Sequence, residues 1–160
     1  MSETDPFFSL YQRPGFLLRR AHRISVAIFE RECAEIGLTP AQFGVLYTLH
    51  HAPGIDQSTL SRALGLDRVT ILHVAKGLEQ RGLLVRRVNP PRRRRSLELT
   101  EQGRRTFAAA MPLAERAVQR LYSPLDAEEQ EQLRTLLNKL CDGLESEARA
   151  EMTPPEAPGT

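Results

Sequence analysis

Arg92 to Arg95 are four consecutive guanidinium groups, set behind Asn89-Pro90-Pro91 and between two short apolar stretches, Leu83-Leu84-Val85 and Leu97-Glu98-Leu99. Planar, permanently charged forks of this kind take phosphate oxygens and guanine edges two bonds at a time. Held at the tip of a hairpin, they suit insertion into a nucleic-acid groove, where phosphates focus the negative potential. The run closes a 34-residue stretch, Arg62–Arg95, with ten Lys/Arg against two acids.

A second set of polar residues lies upstream on a helical pattern. Between Asp67 and Arg81, Ile71, Val74 and Leu78 recur at spacings of three and four and form the expected buried stripe. Arg68, Val69, Thr70, Leu72, His73 and Lys76 are left facing outward, the mixture that a recognition helix lays against base edges. Arg68 suits guanine, Thr70 and Leu72 suit thymine methyls, Lys76 suits phosphate and His73 suits either. Ser58 and Arg62 on the preceding helix, and Arg86 and Arg87 on the strand, are phosphate candidates.

The third set is Phe16, Arg19, Arg20, His22 and Arg23, near the start of the first long helical pattern. On a helical wheel Arg19 and Arg23 share a polar strip with Glu30. Arg20 falls beside Ile24 and Ala27, and His22 falls among Leu18, Phe29 and Cys33. A buried arginine needs an anion, and an aromatic carboxylate supplies charge and ring together. The alternatives are an internal Asp or Glu for Arg20 and a backbone carbonyl for His22.

Catalysis is not expected. His22, His50, His51 and His73 are scattered, with no paired carboxylates and no nucleophile motif. Cys33 and Cys141 have neither metal nor disulfide spacing, so no metal and no cofactor is expected. Cys33 sits in an apolar seam near Glu30, Glu32 and Glu35, and acidic neighbours raise a thiol pKa. A structural cysteine is therefore expected rather than a redox switch. A winged helix used only for protein contacts is the other rival, and the basic tip argues against it.

The elements that position these sets follow from periodicity and caps. Pro14 to Ile36 reads as a long helix with two apolar seams, Leu17/Ala21/Ile24/Ile28 and Leu18/Phe29/Cys33, closed by Gly37. Thr39-Pro40-Ala41-Gln42 starts a helix to His51. Asp56 and Asp67 cap two more, with Gly65 between them and Gly82 at the end. The period then changes to two over Leu83–Val88 and Ser96–Leu99. Thr100 caps a helix to Tyr122, bent at Pro112, and Asp126 opens a last helix bearing Leu133, Leu136, Leu137, Leu140 and Leu144. The fold class is mainly α with a small β-hairpin wing (α+β). A flexible arm is expected over 1–13, a winged helix-turn-helix over 38–100, helical dimerisation regions over 14–36 and 101–149, and a disordered tail over 150–160.

The net charge of +2 over 160 residues hides a split, +6 in residues 1–100 and −4 in 101–160. One end suits a polyanion and the other has a different task. No apolar run approaches the roughly 20 residues of a bilayer span, and Met1–Asp5 lacks the order of a secretion signal. No membrane partner and a reduced, cytoplasmic setting are expected.

From Leu38 to Gly103 the chain resembles the MarR family of winged-helix transcriptional regulators. The resemblance rests on Leu38-Thr39-Pro40-Ala41-Gln42-Phe43, Leu60-Ser61-Arg62-Ala63-Leu64-Gly65-Leu66-Asp67, Leu78-Glu79-Gln80-Arg81-Gly82-Leu83, Arg92-Arg93 and Leu97-Glu98-Leu99-Thr100-Glu101-Gln102-Gly103. The flanking helices extend it to about residues 14–148. The family usually has an aspartate before the arginine pair of the wing; here Pro91 stands there, which puts the bracing of the wing in question. The resemblance implies a homodimer on palindromic double-stranded DNA and, commonly, release by a phenolic or carboxylated aromatic effector. Pro14-Gly15-Phe16-Leu17-Leu18-Arg19-Arg20-Ala21-His22 further resembles the first helix of members that control aromatic-acid catabolism. The leucine series and the two-faced first helix support a dimer independently, because both exceed what one small core needs.

Overall fold

The computed structural model describes residues 7–89 and 94–155 of the protein. Its order is α1 (Phe8–Tyr11), α2 (Pro14–Glu32), α3 (Pro40–His51), α4 (Gln57–Ala63), α5 (Arg68–Gln80), β1 (Leu84–Asn89), β2 (Arg94–Leu99), α6 (Glu101–Tyr122) and α7 (Ala127–Leu144), then a 3-10 turn over Glu145–Glu147.

Local chemistry sets most boundaries. Thr39 and Gln42 form a reciprocal capping box at the start of α3, with Pro40 inside the first turn. Asp56 accepts from the Thr59 N–H at 2.8 Å, and Asp67 accepts from the Val69 and Thr70 N–H groups at 2.9 Å each. Gly65, at φ +59°, supplies the left-handed turn between α4 and α5 that a side chain would strain. The helix of α2 stops at Glu32 rather than Ile36: the Ala34 and Ile36 N–H groups bond three residues back, to the Arg31 and Cys33 carbonyls, and Gly37 at φ +58° closes residues 33–37 as a turn.

The core lies beneath α3, α4, α5 and the hairpin. Val45, Leu46, Leu49, Leu60, Ile71, Leu78 and Leu97 are fully buried with Cys33, and Phe107 of α6 closes the far side. Each such leucine contributes roughly 1.5–3 kcal/mol of transfer free energy. The stripe expected on α5 holds: Ile71 and Leu78 are fully buried and Val74 packs half-buried against the core, while Ala75 beside it is fully buried as well.

The strands pair antiparallel with Leu84 opposite Leu99 and Asn89 opposite Arg94. The second strand begins two residues earlier than the alternation indicated, so Arg94 and Arg95 belong to β2, while Arg92 and Arg93 lie outside the described residues. Two further rungs, from the Gly54 N–H to the Leu97 carbonyl and from the Leu97 N–H to the Ile55 carbonyl, protect the other edge of β2. Thr100 then joins wing to helix: its hydroxyl donates to the Gly82 carbonyl at 2.6 Å and accepts from the Gly103 N–H at 3.0 Å. A Cβ at Gly103 would overlap the Leu83 carbonyl oxygen, so only glycine permits this approach. α6 continues through Pro112 as one element.

α7 has no buried residue, and Leu136, Leu140 and Leu144 are 63%, 44% and 54% exposed. The ends of the chain depart from the sequence reading. Part of the expected arm is the helix α1, whose Tyr11 ring lies 5.0 Å from that of Phe16. The expected tail is placed through residue 155: Met152 packs over Gly65, and the Thr153 N–H donates to the Arg62 carbonyl at 2.9 Å. The exposed carbonyls of the last turn of α4 give that segment a partner.

Candidate nucleic-acid interface and ligand cleft

Two helix caps and one glycine turn build a single surface. Asp56, Asp67 and the Gly65 turn fix α4 against α5, so that the buried Ile71, Ala75 and Leu78 turn the opposite face of α5 outward. Arg68, Leu72, His73 and Lys76 are exposed there, as are Ser58 and Arg62 on α4. Val69 is 65% exposed and Leu72 45% exposed, so apolar surface lies among the charges on this face. Among the described residues, Arg62, Arg68 and Lys76 have no ion pair, so their charge is available to an external anion.

Thr70 departs from its expected place. It is half-buried, and its hydroxyl donates to Asp67 Oδ2 at 2.8 Å, which commits its one proton and leaves the methyl and the oxygen's acceptor capacity to meet a base. Hydrogen bonds from the Thr70 backbone and hydroxyl, then from Val69, hold the Asp67 carboxyl below the usual range. It stays ionised as the cap of α5.

Arg86 also differs from the phosphate contact expected of it. Its Nε donates to Glu79 on α5 at 3.1 Å and its Nη1 to Gln57 on α4 at 3.0 Å. The side chain is three-quarters buried and ties β1 to both α4 and α5. Arg87, by contrast, is mostly exposed and pairs across the hairpin with Glu98 at 2.9 Å. These two arginines, through three bonds, brace the base of the hairpin, where the sequence carries Pro91 and not an aspartate before the arginine pair. Gln57 carries no signal of this role in the sequence, because nothing local relates it to a strand 29 positions on.

Arg81 is hidden from sequence reasoning for the same reason. From the end of α5 it donates to the Gly37 and Ile36 carbonyls at 2.7 Å each, linking the reading helix directly to the turn that follows α2.

The ligand candidates divide. Phe16, Arg19, Arg20 and Arg23 line one cleft of about 490 Å³ together with Tyr11, Gln12 and Leu17. That volume lies within the range of small-molecule sites. The Arg19 guanidinium sits 4.9 Å from the centre of the Phe16 ring. Arg20 is exposed within the chain rather than buried, and it has no internal acid among the described residues. His22 is exposed and outside the lining. Both differ from the wheel expectation because α2 has no buried residue: the chain's own core covers neither seam of its N-terminal half. Tyr11 and Gln12 precede the periodic pattern, which is why no spacing points to them.

A second, more apolar groove of about 390 Å³ runs between α3 and α6, lined by Phe43, Tyr47, Met111, Ala114, Glu115, Val118 and Gln119. Its aromatic wall continues through Phe29 and Phe107. Cys33 is fully buried; desolvation first and the Glu32 charge second push its thiol upward. Among the described residues no group of His, Cys, Asp and Glu is placed to hold a metal ion, and no helix is long and apolar enough to cross a membrane.

Residues 36–95 match the model of the MarR family. The HTH-type transcriptional repressor NicR of Pseudomonas putida is 31% identical over 141 residues, 87% of this chain and 89% of its own length. Two solved structures superpose with a TM-score of 0.77. BpsR of Bordetella bronchiseptica, whose DNA binding is regulated by 6-hydroxynicotinic acid, is 32% identical and covers 82% of this chain and 95% of its own. The transcriptional repressor CouR, bound to a 23-mer DNA duplex, is 35% identical and covers 84% of this chain and 96% of its own.

Proposed function

Because the chain belongs to the MarR family of winged helix transcriptional regulators, we propose that it acts as a homodimeric repressor. Each subunit presents α5 and the wing to one half-site of a palindromic operator, and a small carboxylated or phenolic aromatic effector releases it. The observation that carries the DNA-binding part is the outward face of α5. Arg68, Val69, Leu72, His73 and Lys76 stand exposed there, their side chains without internal partners among the described residues, beside a braced cationic wing. Base contacts fall to Arg68, Leu72 and His73, with the Thr70 methyl beside them. Phosphate contacts fall to Ser58, Arg62, Lys76 and the wing arginines Arg92 to Arg95. Arg86 serves as a positioning residue that holds the wing to the head.

Dimerisation rests on the bare leucine face of α7 and the uncovered seam of α2, where Leu17, Leu18 and Ile24 are 42–46% exposed. Patches of this kind on two helices call for a second copy. Two-fold symmetry then sets half-sites about one helical turn, roughly 10 base pairs, apart. The cleft on α2 is the effector site in this reading, with an arginine for the anion and Tyr11 and Phe16 for the ring. The aromatic acid that regulates BpsR supports the ligand class. A peroxide-sensing role for Cys33 is not favoured, since a buried, protonated thiol is a poor nucleophile.

The test is selection of bound duplexes from the source genome, repeated with 6-hydroxynicotinate, 4-hydroxybenzoate or p-coumarate. A two-fold symmetric motif, lost with one of these acids, is the expected result. Protein that stays monomeric and ignores duplex DNA in dilute buffer would sink the proposal.

A further inference from the structure

The hairpin, α6 and the turn after α2 are all fastened to the last turn of α5 and the two residues that follow it. The Arg86 Nε of β1 donates to Glu79 at 3.1 Å. At the start of α6 the Thr100 hydroxyl donates to the Gly82 carbonyl at 2.6 Å, and its N–H donates to the Leu83 carbonyl at 3.1 Å. Arg81 supplies the remaining link. Its Nη1 donates to the Gly37 carbonyl and its Nη2 to the Ile36 carbonyl, each at 2.7 Å. The dimer arm (α2, α6 and α7) thus joins the head (α3 to β2) at one corner, the C-terminal end of α5.

Arg81 is used differently from the arginines that pair with acids. Arg86, Arg87, Arg104, Arg105, Arg116 and Arg134 each take a carboxylate. Among the described residues Arg81 has no ion pair, and Glu79, two positions before it, is taken by Arg86. Its guanidinium answers two carbonyls of the turn 33–37 instead, groups that a helix end leaves without partners. Short, charge-assisted bonds from both nitrogens of a planar fork fix direction as well as distance. The neighbouring contacts of the joint are apolar: Cys33 is buried in the core, and the Phe29 ring lies 5.4 Å from that of Phe43. Apolar burial has no preferred direction. Packing therefore holds arm and head together, while the fork sets the angle between them.

That angle has leverage. The 13 residues of α5 span roughly 20 Å, with Arg68 and Leu72 toward the end opposite Arg81. A swing of the head by about 10° around this corner carries the start of α5 roughly 3.4 Å, one base-pair step.

We infer that Arg81 is the positioning residue that sets the orientation of the head on the arm, and with it the half-site spacing that a pair of heads accepts. This rests on the homodimer reading above, and it gives Arg81 neither a base nor a phosphate to contact.

Fluorescence anisotropy with the full-length protein, R81Q and R81K tests it. The duplexes are the selected operator and two versions with the half-sites moved one base pair closer or further apart. Wild type should lose about tenfold in affinity for either altered spacing. R81Q should lose no more than about threefold, with salt slope and base preference at the Arg68 position kept. R81K keeps the charge without the fork and should follow R81Q; thermal melts report whether each variant is folded. Wild-type spacing dependence in both variants overturns the inference and leaves the dimer reading intact. An equal loss at every spacing, in step with a lowered melt, overturns it too and leaves Arg81 a stabilising contact only. A salt slope smaller by about one in R81Q makes it a phosphate contact instead. Wild-type protein indifferent to spacing refutes the dimer reading, and the inference falls with it.

Discussion

Glu79 and Gln57 hold the Arg86 guanidinium from two different helices, so removing it strands two acceptors at once. Arg86→Ala should cost about 1–2 kcal/mol of stability and weaken binding to every duplex by loosening the wing; thermal melts and fluorescence titrations measure the two effects. Arg68 has no internal ion pair among the described residues, so Arg68→Ala should leave the melt unchanged and cost about 1–3 kcal/mol at one base position. Replacing Arg92 to Arg95 should instead flatten the slope of log affinity against log salt by about one for each phosphate no longer neutralised. An equal, sequence-blind loss in both would refute that division. Cys33 sets a pH test. Its folded thiol is raised above the ordinary value of 9.0, so its contribution is intact below that pH. It should be lost as pH climbs past it toward the folded value, because the unfolded chain ionises first. A thiol reagent at neutral pH should spare the buried Cys33 in the folded protein and label it only on unfolding. The sequence is informative about these residues where the partner is solvent or lies within a turn, as for Arg68 and Lys76. It is silent where the partner is distant in the chain, as for Arg86 and Arg81, and where a side chain divides its bonds, as for the Thr70 hydroxyl.

Helices and strands are legible in the sequence where their ends are chemical. The capping residues Thr39, Asp56, Asp67, Thr100 and Asp126 all accept the expected N–H groups, because an Asx or Thr cap needs only its next three residues. Phase and register are less accessible. Periodicity places Val74 in the stripe but does not reveal that Ala75 beside it is buried more completely, and the start of β2 depends on its pairing with Asn89. The junction between wing and α6 is a matter of close approach. Gly103→Ala would drive a methyl into the Leu83 carbonyl. It should destabilise the head by about 1–3 kcal/mol or more, with loss of DNA binding in excess of the loss of helicity by circular dichroism. Normal stability and binding in that variant would show that the hairpin can move aside freely.

Over the whole chain, the division of charge follows the structure: a cationic head with its own core, and a leucine-faced arm that the chain leaves bare. L136E/L140E should yield a folded monomer by light scattering, with its melt little changed and operator binding lost. Retention of a dimer would place the interface elsewhere. The sequence conveys that α2 and α7 have surplus apolar faces but not which of them the subunit itself covers, since periodicity reports a seam and not its occupant. The last described residues matter for anyone handling the protein. Thr153 is joined to the carbonyl of Arg62 near the end of α4, and Met152 lies on the Gly65 turn beside the reading helix. A segment fused downstream of that junction would depart from beside α4 and α5, the two helices proposed to meet the duplex. Affinity measurements are therefore best made with the handle on the other terminus or cleaved away.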